Sequence, residues 1–262
     1  MTKPVTLFML DGLRPDAIAA TKSPNLRALI ARGSSTMHAT SVMPSITLPC
    51  HTSIFHSVPP QRHGITANVF HPMARPLPGL FDVAHANGLK CMSIHNWEPL
   101  RDLARPEALW ASFYVNTSYQ ADGDDIVAAE AIRLLQDHKP NFAFVYLGTI
   151  DTAGHAYGWM SNDYLAQIER VDAQLGMILA VLSEDGSVVV QADHGGHDRN
   201  HGTDAAEDMT IPWMACGPRI RRGHTITANV NLIDTAPTIA RLLELTPPRE
   251  WEGKPVDEIF EA

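Results

Sequence analysis

The chain has 262 residues, of which 45% are hydrophobic and 19% are charged. This composition supports one compact α/β domain over residues 1–262 with an ample core. The formal net charge of −9 argues against a protein that coats a nucleic-acid polymer, but it leaves a small anionic substrate open. The sequence has neither an apolar run of membrane-spanning length nor a signal-peptide pattern, so we expect a cytoplasmic protein without a membrane partner.

Strand and helix signals alternate along the chain. Apolar runs predict buried strands over residues 5–10, 90–95, 141–147, 187–191 and 211–216. Amphipathic or capped stretches predict helices over residues 24–32, from 47 onward, 80–87, 125–138, 163–182 and 232–245. In the helix over 125–138, we expect Ile126, Ala129, Ile132 and Leu135, or their neighbours, to face inward. The alternation predicts an α/β fold with a mostly parallel central sheet and helices on both faces.

The segment over residues 97–121 is less regular than the rest. It carries several aromatic side chains among polar ones, including Trp97, Tyr114 and Tyr119. We expect either a substrate-facing cap or insertion, or a long connection packed against the core.

The three cysteines, Cys50, Cys91 and Cys216, are far apart and odd in number, which argues against a disulfide framework. There is no Cys-x-x-Cys pair in the sequence. A metal ion in this chain would therefore be held by oxygen and nitrogen atoms.

Three of the predicted strands are followed by an aspartate. These are Asp11, Asp151 and Asp193, and the last two are accompanied by His155 and His194. Because the carboxyl ends of parallel strands lie at one edge of a sheet, we expect these side chains to converge there. Buried carboxylates and imidazoles are costly to desolvate unless they are paired or bound to a metal ion. The alternatives are a turn-capping role for Asp11 and a polar loop after Asp193 with incidental histidines.

The types of ligand indicate which ions would bind. With His201, further along the loop after Asp193, the set offers more ligands than one tetrahedral zinc ion needs. A mixture of aspartate and histidine favours zinc or manganese over magnesium. We therefore expect two divalent metal ions as cofactors, zinc in the first place and manganese as the alternative.

Thr47 precedes an apolar helical stretch in which Pro49 falls in the first turn. Its hydroxyl is expected at a helix N-terminus, where exposed N–H groups attract anions and stabilise developing negative charge. The alternative is a threonine that only caps the helix.

Taken together, these motifs resemble the type I phosphodiesterase/nucleotide pyrophosphatase family of the alkaline phosphatase superfamily. The matching segments occur in the family's order at residues 9–16, 23–26, 44–51, 63–65, 151–155 and 192–195. Cys50 stands where an asparagine is common, and His56 and Ser57 replace a typical Thr-Gly pair, but neither change removes a candidate ligand. The resemblance implies an alkaline phosphatase-like three-layer sandwich.

The resemblance also implies a two-metal site. One ion would be held by Asp11, Thr47, Asp193 and His194, and the other by Asp151, His155 and His201. Thr47 matches the family's nucleophile, which would form a phospho-threonine intermediate, and Asn68 matches an asparagine that helps to bind a phosphoryl oxygen. His197 is the rival of His201 as a ligand of the second ion, and His201 is preferred.

The function that this resemblance implies is hydrolysis of a phosphate diester or pyrophosphate in a small substrate. A phosphomonoesterase or phosphonate hydrolase on the same site is the alternative, since the sequence does not expose the substrate pocket. A sulfatase is disfavoured, because the segment that starts at Thr47 lacks the convertible cysteine or serine and the arginine of the sulfatase signature. A metal-binding module without catalysis is the least favoured hypothesis, because Thr47 and all candidate ligands are present.

Overall fold

The computed structural model describes residues 3–261. The centre of the fold is one eight-stranded sheet. Its strands are β1 (Val5–Leu10), β2 (Ser34–Thr40), β3 (Cys91–His95), β4 (Ala111–Tyr114), β5 (Phe142–Leu147), β6 (Ser187–Gln191), β7 (Thr210–Cys216) and β8 (His224–Thr225). Across the sheet they lie in the order β4-β3-β5-β1-β6-β7-β2-β8.

Most neighbouring strands in this sheet are parallel. β1 pairs in parallel with β5 on one side and β6 on the other, and β3 pairs in parallel with β5 and β4. β7 runs antiparallel to both of its neighbours, β6 and β2. Every residue of β1 and of β5 is buried, because helices cover both faces of the sheet. The predicted α/β fold with a mostly parallel sheet is confirmed.

The helices form the two outer layers. Within the described chain they are α1 (Pro15–Ala20), α2 (Pro24–Arg32), α3 (Thr47–His56), α4 (Pro60–His63), α5 (Leu80–Ala86), α6 (Gly123–His138), α7 (Thr149–Tyr157), α8 (Asn162–Leu179), α9 (Ala206–Met209) and α10 (Thr235–Leu242). Helices α1, α2, α6 and α7 pack against α8, whereas α4, α5 and α10 pack against α3. The sheet and these two helix groups make the three layers of the fold.

Aromatic packing fixes α3 against the centre of the sheet. Phe55 of α3 stacks on Phe81 of α5 with ring centroids 4.8 Å apart, and it meets Phe144 of β5 edge-on at 5.0 Å. Such contacts add to the free energy gained by burying apolar area. Because Thr47 is the first residue of α3, this packing also fixes where the Thr47 backbone lies.

The largest departures from the predicted helix limits are in α10 and α8. The stretch over 232–245 starts as a 3₁₀ turn (Leu232–Asp234), which the side chains of Asn231 and Asp234 cap, and only then becomes α10. Helix α8 ends at Leu179 rather than at 182. Caps and local turns decide helix ends, and the apolar period alone does not show them.

The buried stripe of α6 runs through the predicted Leu135 and through neighbours of the other residues predicted to face inward. The helix buries Val127, Ala128, Ala131, Leu134 and Leu135, and Ile126 is instead exposed. The two alanines allow α6 to approach the sheet closely, and this orientation turns Ile126 to solvent.

The segment over 97–121 is attached to the edge of the sheet. It forms 3₁₀ turns at Glu98–Leu103 and Pro106–Ala108 and then β4, which pairs with β3. A strand of four residues is too short to show a clear alternation of apolar and polar side chains, so the sequence pattern missed β4.

The three cysteines are free, as predicted. Cys50 and Cys91 are buried, and Cys216 is partly exposed. Within residues 3–261, no helix combines the length and the apolar character that a membrane crossing requires.

Candidate active site

The predicted acids and histidines meet where β1, β5 and β6 end. They form two clusters, each with three ligand atoms within 4.8 Å of one another: Asp11, Asp193 and His194 (the first cluster), and Asp151, His155 and His201 (the second cluster). Asp11 follows β1 directly, and α7, which begins just after β5, carries Asp151 and His155. The parallel strands thus bring distant parts of the chain to one edge of the sheet, as expected.

In the first cluster, a ring nitrogen faces two carboxylates. Nε2 of His194 lies 3.3 Å from Oδ1 of Asp11 and 3.4 Å from Oδ2 of Asp193. The other ring nitrogen, Nδ1, donates to the carbonyl oxygen of Gly195 at 2.8 Å, so Nε2 carries a lone pair. Both carboxylate oxygens are buried without a hydrogen-bond donor. Three lone-pair atoms therefore point toward one another, an arrangement that a cation between them would stabilise.

The second cluster repeats this arrangement. Nε2 of His155 and Nε2 of His201 each lie 3.5 Å from a carboxylate oxygen of Asp151. Nδ1 of His155 donates to the Arg199 carbonyl at 2.9 Å, and Nδ1 of His201 donates to the Ser45 carbonyl at 2.8 Å. Oδ1 of Asp151 is buried and has no donor. Asp151 and His155 lie one turn apart on the same face of α7, as their spacing predicted.

The two clusters are adjacent, and Thr47 lies beside the first. The rings of His194 and His201 stack with their centroids 3.7 Å apart and an angle of 13° between their planes. Oγ1 of Thr47 lies 3.2 Å from Nε2 of His194. A hydroxyl, three carboxylates and three imidazoles therefore share one small region.

The buried carboxylates in this region repel one another. Burial, reinforced by the Asp193 and Asp151 carboxylates, raises the pKa of Asp11 well above its ordinary value. Burial and the Asp151 carboxylate raise the pKa of Asp193 to about 7, and burial raises the pKa of Asp151. Burial lowers the pKa of His201 to about 2, so this ring is neutral and able to act as a ligand. Divalent cations would offset the cost of charging the three carboxylates.

Thr47 is the first residue of α3, as predicted. Ile46 is the N-cap residue and its side chain makes no capping hydrogen bond, so Thr47 is not the capping residue. Pro49 costs no hydrogen bond in the first turn, because the first N–H groups of a helix have no partner within it. The Thr47 hydroxyl is therefore available to face the first cluster.

Asn68 is held at the same end of α3. Its Oδ1 accepts a hydrogen bond from the N–H of Leu48 at 2.9 Å. This contact leaves the Nδ2 amino group as the donor that Asn68 can offer to another molecule. Asn68 and Thr47 line the same cavity.

That cavity has a volume of about 510 Å³ and contains residues of both clusters in its wall. The remaining wall comes mainly from the segment over 97–121, which contributes Trp97, Glu98, Pro99, Tyr114, Asn116, Ser118 and Tyr119. This segment therefore borders the same cavity as both clusters.

His197 lies apart from the second cluster. Its Nδ1 is 2.7 Å from Oδ1 of the buried Asp208. The other oxygen of Asp208 accepts hydrogen bonds from the N–H of Thr203 at 2.9 Å and from its hydroxyl at 2.8 Å. His201, and not His197, lies next to Asp151, while His197 and Asp208 hold the loop that carries His201.

Two further residues at the first cluster were not predicted from the sequence. The hydroxyl of Tyr146 donates to Oδ2 of Asp11, and Nδ1 of His51 lies 3.5 Å from Oδ2 of Asp193. Both side chains are buried within apolar elements, β5 and α3, so the sequence pattern explained their positions as core packing. The signal that could have found them is a polar group inside an apolar element close to a predicted ligand.

A family model described as type I phosphodiesterase / nucleotide pyrophosphatase matches residues 5–211. The chain belongs to this family. The matched range includes Thr47, Asn68 and all members of both clusters. The family predicted from the sequence motifs is thereby confirmed.

Curated proteins of the same family are similar to this member over part of their length. Human ectonucleotide pyrophosphatase/phosphodiesterase family member 1 is 26% identical over 220 residues, which cover 74% of this chain and 24% of that protein. Venom phosphodiesterase CdcPDE of Crotalus durissus collilineatus is 25% identical over 218 residues, which cover 73% of this chain and 26% of that protein. The chain spans about a quarter of the length of these relatives.

Solved structures show that this family member has an alkaline phosphatase-like fold. Human ectonucleotide pyrophosphatase/phosphodiesterase 5 superposes with a TM-score of 0.84 at 16% identity, covering 99% of this chain and 100% of that chain. The murine protein, solved as an inactive threonine-to-alanine variant in complex with AMP, gives a TM-score of 0.82 at 18% identity with the same coverage of 99% and 100%. A 2-O GAG sulfatase also matches, with a TM-score of 0.81 at 14% identity over 97% of this chain and 73% of that chain.

Proposed function

We propose that this protein is a metal-dependent phosphoric ester hydrolase of the phosphodiesterase type, with Thr47 as its nucleophile. The observation that carries the proposal is the pair of clusters beside the Thr47 hydroxyl, where ring-nitrogen lone pairs face unpartnered carboxylate oxygens. Membership of the family supports the class of reaction. The murine relative, which its structure describes as inactive after a threonine-to-alanine change and bound to AMP, supports a threonine nucleophile and a phosphate-ester substrate.

The donor set fits two divalent cations. Thr47 and the first cluster would hold one ion, and the second cluster would hold the other. The three histidines each engage Nδ1 with a backbone carbonyl, which is the usual way to orient Nε2 toward a metal. Mixed nitrogen and oxygen donors favour zinc, with manganese as the alternative. When bound, such ions lower the pKa of a coordinated hydroxyl and offset charge on phosphoryl oxygens.

The residues of the chain perform the transfer in two steps. Oγ1 of Thr47 attacks phosphorus while the P–O bond to the leaving alcohol breaks, and the hydroxyl proton goes to the leaving oxygen or to solvent. The phosphoryl group, still esterified to the other alcohol, moves to Thr47. Water then cleaves the phospho-threonine and restores the hydroxyl. Nδ2 of Asn68 donates to a phosphoryl oxygen on which negative charge grows, and the N-terminal end of α3 favours the same charge.

The test compares two chromogenic substrates at equal concentration. Purified protein is dialysed against a chelator, resupplied with Zn²⁺ or Mn²⁺, and assayed with bis-4-nitrophenyl phosphate and with 4-nitrophenyl phosphate. We expect metal-dependent turnover with a preference for the diester. In acid-quenched samples of the diester reaction, mass spectrometry should find a 4-nitrophenyl phosphate group esterified to Thr47.

Other outcomes would favour other activities. A clear preference for 4-nitrophenyl phosphate would indicate a phosphomonoesterase, and faster cleavage of 4-nitrophenyl sulfate would indicate a sulfatase. Metal binding without turnover of any ester would indicate a binding module. Each of these results would overturn the proposal.

A further inference from the structure

Trp159 lies between the two clusters, although it belongs to neither. It comes two residues after the end of α7, and both of its neighbours have left-handed backbones, Gly158 with φ 96° and Met160 with φ 66°. This turn returns the indole ring to α7, where the residue is only 7% exposed. A left-handed backbone costs free energy at a residue such as Met160, so the contacts of the turn must hold it in place.

The indole ring contacts both histidines of the second cluster. It meets the ring of His155 edge-on, with centroids 5.1 Å apart and an angle of 85° between the planes. It meets the ring of His201 in the same manner, at 5.8 Å and 66°. Backbone carbonyls already hold the Nδ1 atoms of these two histidines, so Trp159 restricts each ring from a second direction. The Nε2 atoms are thereby kept facing Asp151.

A hydrogen bond ties the same ring to the first cluster. Nε1 of Trp159 donates to the carbonyl oxygen of Gly12 at 3.0 Å. The N–H of Gly12 donates in turn to Oδ1 of Asp193 at 3.3 Å, and Gly12 directly follows Asp11 in the chain. One side chain therefore connects the histidines of the second cluster with the backbone that carries and supports the carboxylates of the first.

Two glycines leave room for this ring between the segments that carry the ligands. Gly154 precedes His155 in α7, and a methyl group added there would come within 2.6 Å of Cε2 of the Trp159 ring. Gly196 lies in the loop after His194, and a methyl group there would overlap the same ring atom. The ring is thus clamped between α7 and that loop, and a shift of the ring would move one segment relative to the other.

We propose that Trp159 is a positioning residue that fixes the spacing between the two metal sites and orients the histidines of the second. The inference rests on the proposed two-ion hydrolase and adds to it a residue outside the ligand set, because an indole N–H can only donate. Trp159 does not line the cavity. Its loss should therefore weaken metal binding and misalign the reacting groups, and it should leave substrate binding largely unaffected.

The test is Trp159→Phe, which keeps an aromatic ring but shortens it and removes the Nε1 donor. The hydroxyl of Tyr164 still donates to the Gly12 carbonyl at 2.8 Å, so this buried acceptor keeps a partner. Competition with a chromogenic chelator for Zn²⁺ should show one ion bound as in wild type and the other bound about tenfold to hundredfold more weakly. At saturating Zn²⁺, kcat and kcat/KM for bis-4-nitrophenyl phosphate should fall by similar factors, because the misalignment acts on the transition state.

Trp251→Phe is the matched control. Trp251 is 8% exposed, and its Nε1 donates to the carbonyl of Pro78 at 2.8 Å, so the same substitution removes an equivalent buried hydrogen bond. Neither Trp251 nor Pro78 belongs to a cluster or lines the cavity. Both variants should lower the free energy of unfolding, but Trp251→Phe should leave both Zn²⁺ affinities unchanged. Equal Zn²⁺ affinities in the two variants would mean that Trp159 has only a structural role, and the inference would be overturned.

A second variant displaces the ring without removing it. Gly154→Ala places a methyl group against Trp159 and should weaken the same ion. If Trp159→Phe does not fold, Gly154→Ala decides the inference, and unchanged Zn²⁺ affinities in it would refute the role of Trp159. In either refutation, a wild-type protein that binds two ions and hydrolyses the diester leaves the proposed function intact. A wild-type protein that binds fewer than two Zn²⁺ ions would overturn both.

Discussion

Oγ1 of Thr47 lies 3.2 Å from Nε2 of His194, and Nδ1 of the same ring is engaged by the carbonyl of Gly195. The hydroxyl belongs to the start of a helix, whereas the imidazole follows the end of β6. The Thr47 hydroxyl and the first cluster are therefore fixed by different elements, which only the packed sheet brings together. Because α3 holds the hydroxyl and the loop after β6 holds the imidazole, a mutation can change one of these groups and leave the other in place.

The first prediction concerns the Thr47 hydroxyl. Thr47→Ala should lower kcat on bis-4-nitrophenyl phosphate by at least about a thousandfold, because it removes the hydroxyl that we propose as the nucleophile. It should keep both metal ions, since the two clusters supply the remaining ligands. Steady-state kinetics and elemental analysis of the purified protein measure the two effects.

Thr47→Ser is the matched control, because it keeps a hydroxyl at the start of α3 and should retain part of the activity. A threonine-to-alanine variant with undiminished turnover would remove Thr47 from the role of nucleophile. Loss of both ions in that variant would contradict the separation of hydroxyl and clusters.

The sequence was sufficient to predict those parts of the site that follow strand ends. An apolar run that ends in an acid, as at Asp11, identifies both a buried strand and the edge at which the side chain lies. The four-residue spacing of Asp151 and His155 fixed their relation within one helix turn. These predictions needed only local patterns and the parallel character of the sheet.

The supporting residues could not be predicted in the same way, because their partners are distant in the chain. Tyr146 donates to Asp11, which lies 135 positions away, and nothing in the apolar run of β5 marks that contact. Asp208 holds the loop of His201 through Thr203 and His197. Its position depends on how the short helix α9 packs beside β7. Such contacts arise from tertiary packing rather than from a period in the sequence.

Asp193 tests the coupling of metal binding to stability. In wild-type protein, saturating Zn²⁺ should raise the free energy of unfolding by about 2.7 kcal/mol at a hundred times the Kd. Asp193→Asn should lose most of this increase, because the first cluster is left with one carboxylate. In the metal-free state the same variant should be no less stable than wild type, since it removes one of three neighbouring buried carboxylates. Thermal unfolding with Zn²⁺ and with a chelator gives both quantities.

The control for this change is Asp185→Asn, at an exposed position outside both clusters. Its metal-induced stabilisation should equal that of wild type. If Asp193→Asn retained the full effect of Zn²⁺, Asp193 would not be a ligand.

His201 and His197 form a matched pair for the second ion. His201→Asn should lose one of the two ions, because Nε2 of His201 lies beside Asp151. His197→Asn should keep both, since His197 contacts Asp208 instead and asparagine can still donate to that carboxylate. Elemental analysis after dialysis measures the metal content, and the reverse pattern would show that His197 is the ligand.

Tyr146 is predicted to orient Asp11. Its hydroxyl occupies Oδ2 and leaves Oδ1 facing His194. Tyr146→Phe keeps the ring but removes this donor, and it should weaken binding of the first ion about tenfold to a hundredfold. Competition with a chromogenic chelator measures the affinity. An unchanged affinity would show that Asp11 is oriented without the Tyr146 hydroxyl.

His63 gives a prediction for the pH dependence of stability. Its Nδ1 accepts a hydrogen bond from the N–H of Ile65 at 3.0 Å, so Nε2 carries the proton and donates to the hydroxyl of Ser53 at 3.0 Å. Burial lowers the pKa of His63 from 6.5 to about 4. A histidine with a lowered pKa contributes stability that is present above pH 6.5 and is lost as the pH falls toward 4. This residue should therefore add a slope of up to about 1.4 kcal/mol per pH unit to the free energy of unfolding in that window. The free energy of unfolding is measured by urea titration at each pH. Its slope against pH should be shallower for His63→Gln than for wild type, and unchanged for His71→Gln, at an exposed histidine. Because metal release affects all three proteins alike, parallel curves for wild type and His63→Gln would mean that His63 does not titrate in this window.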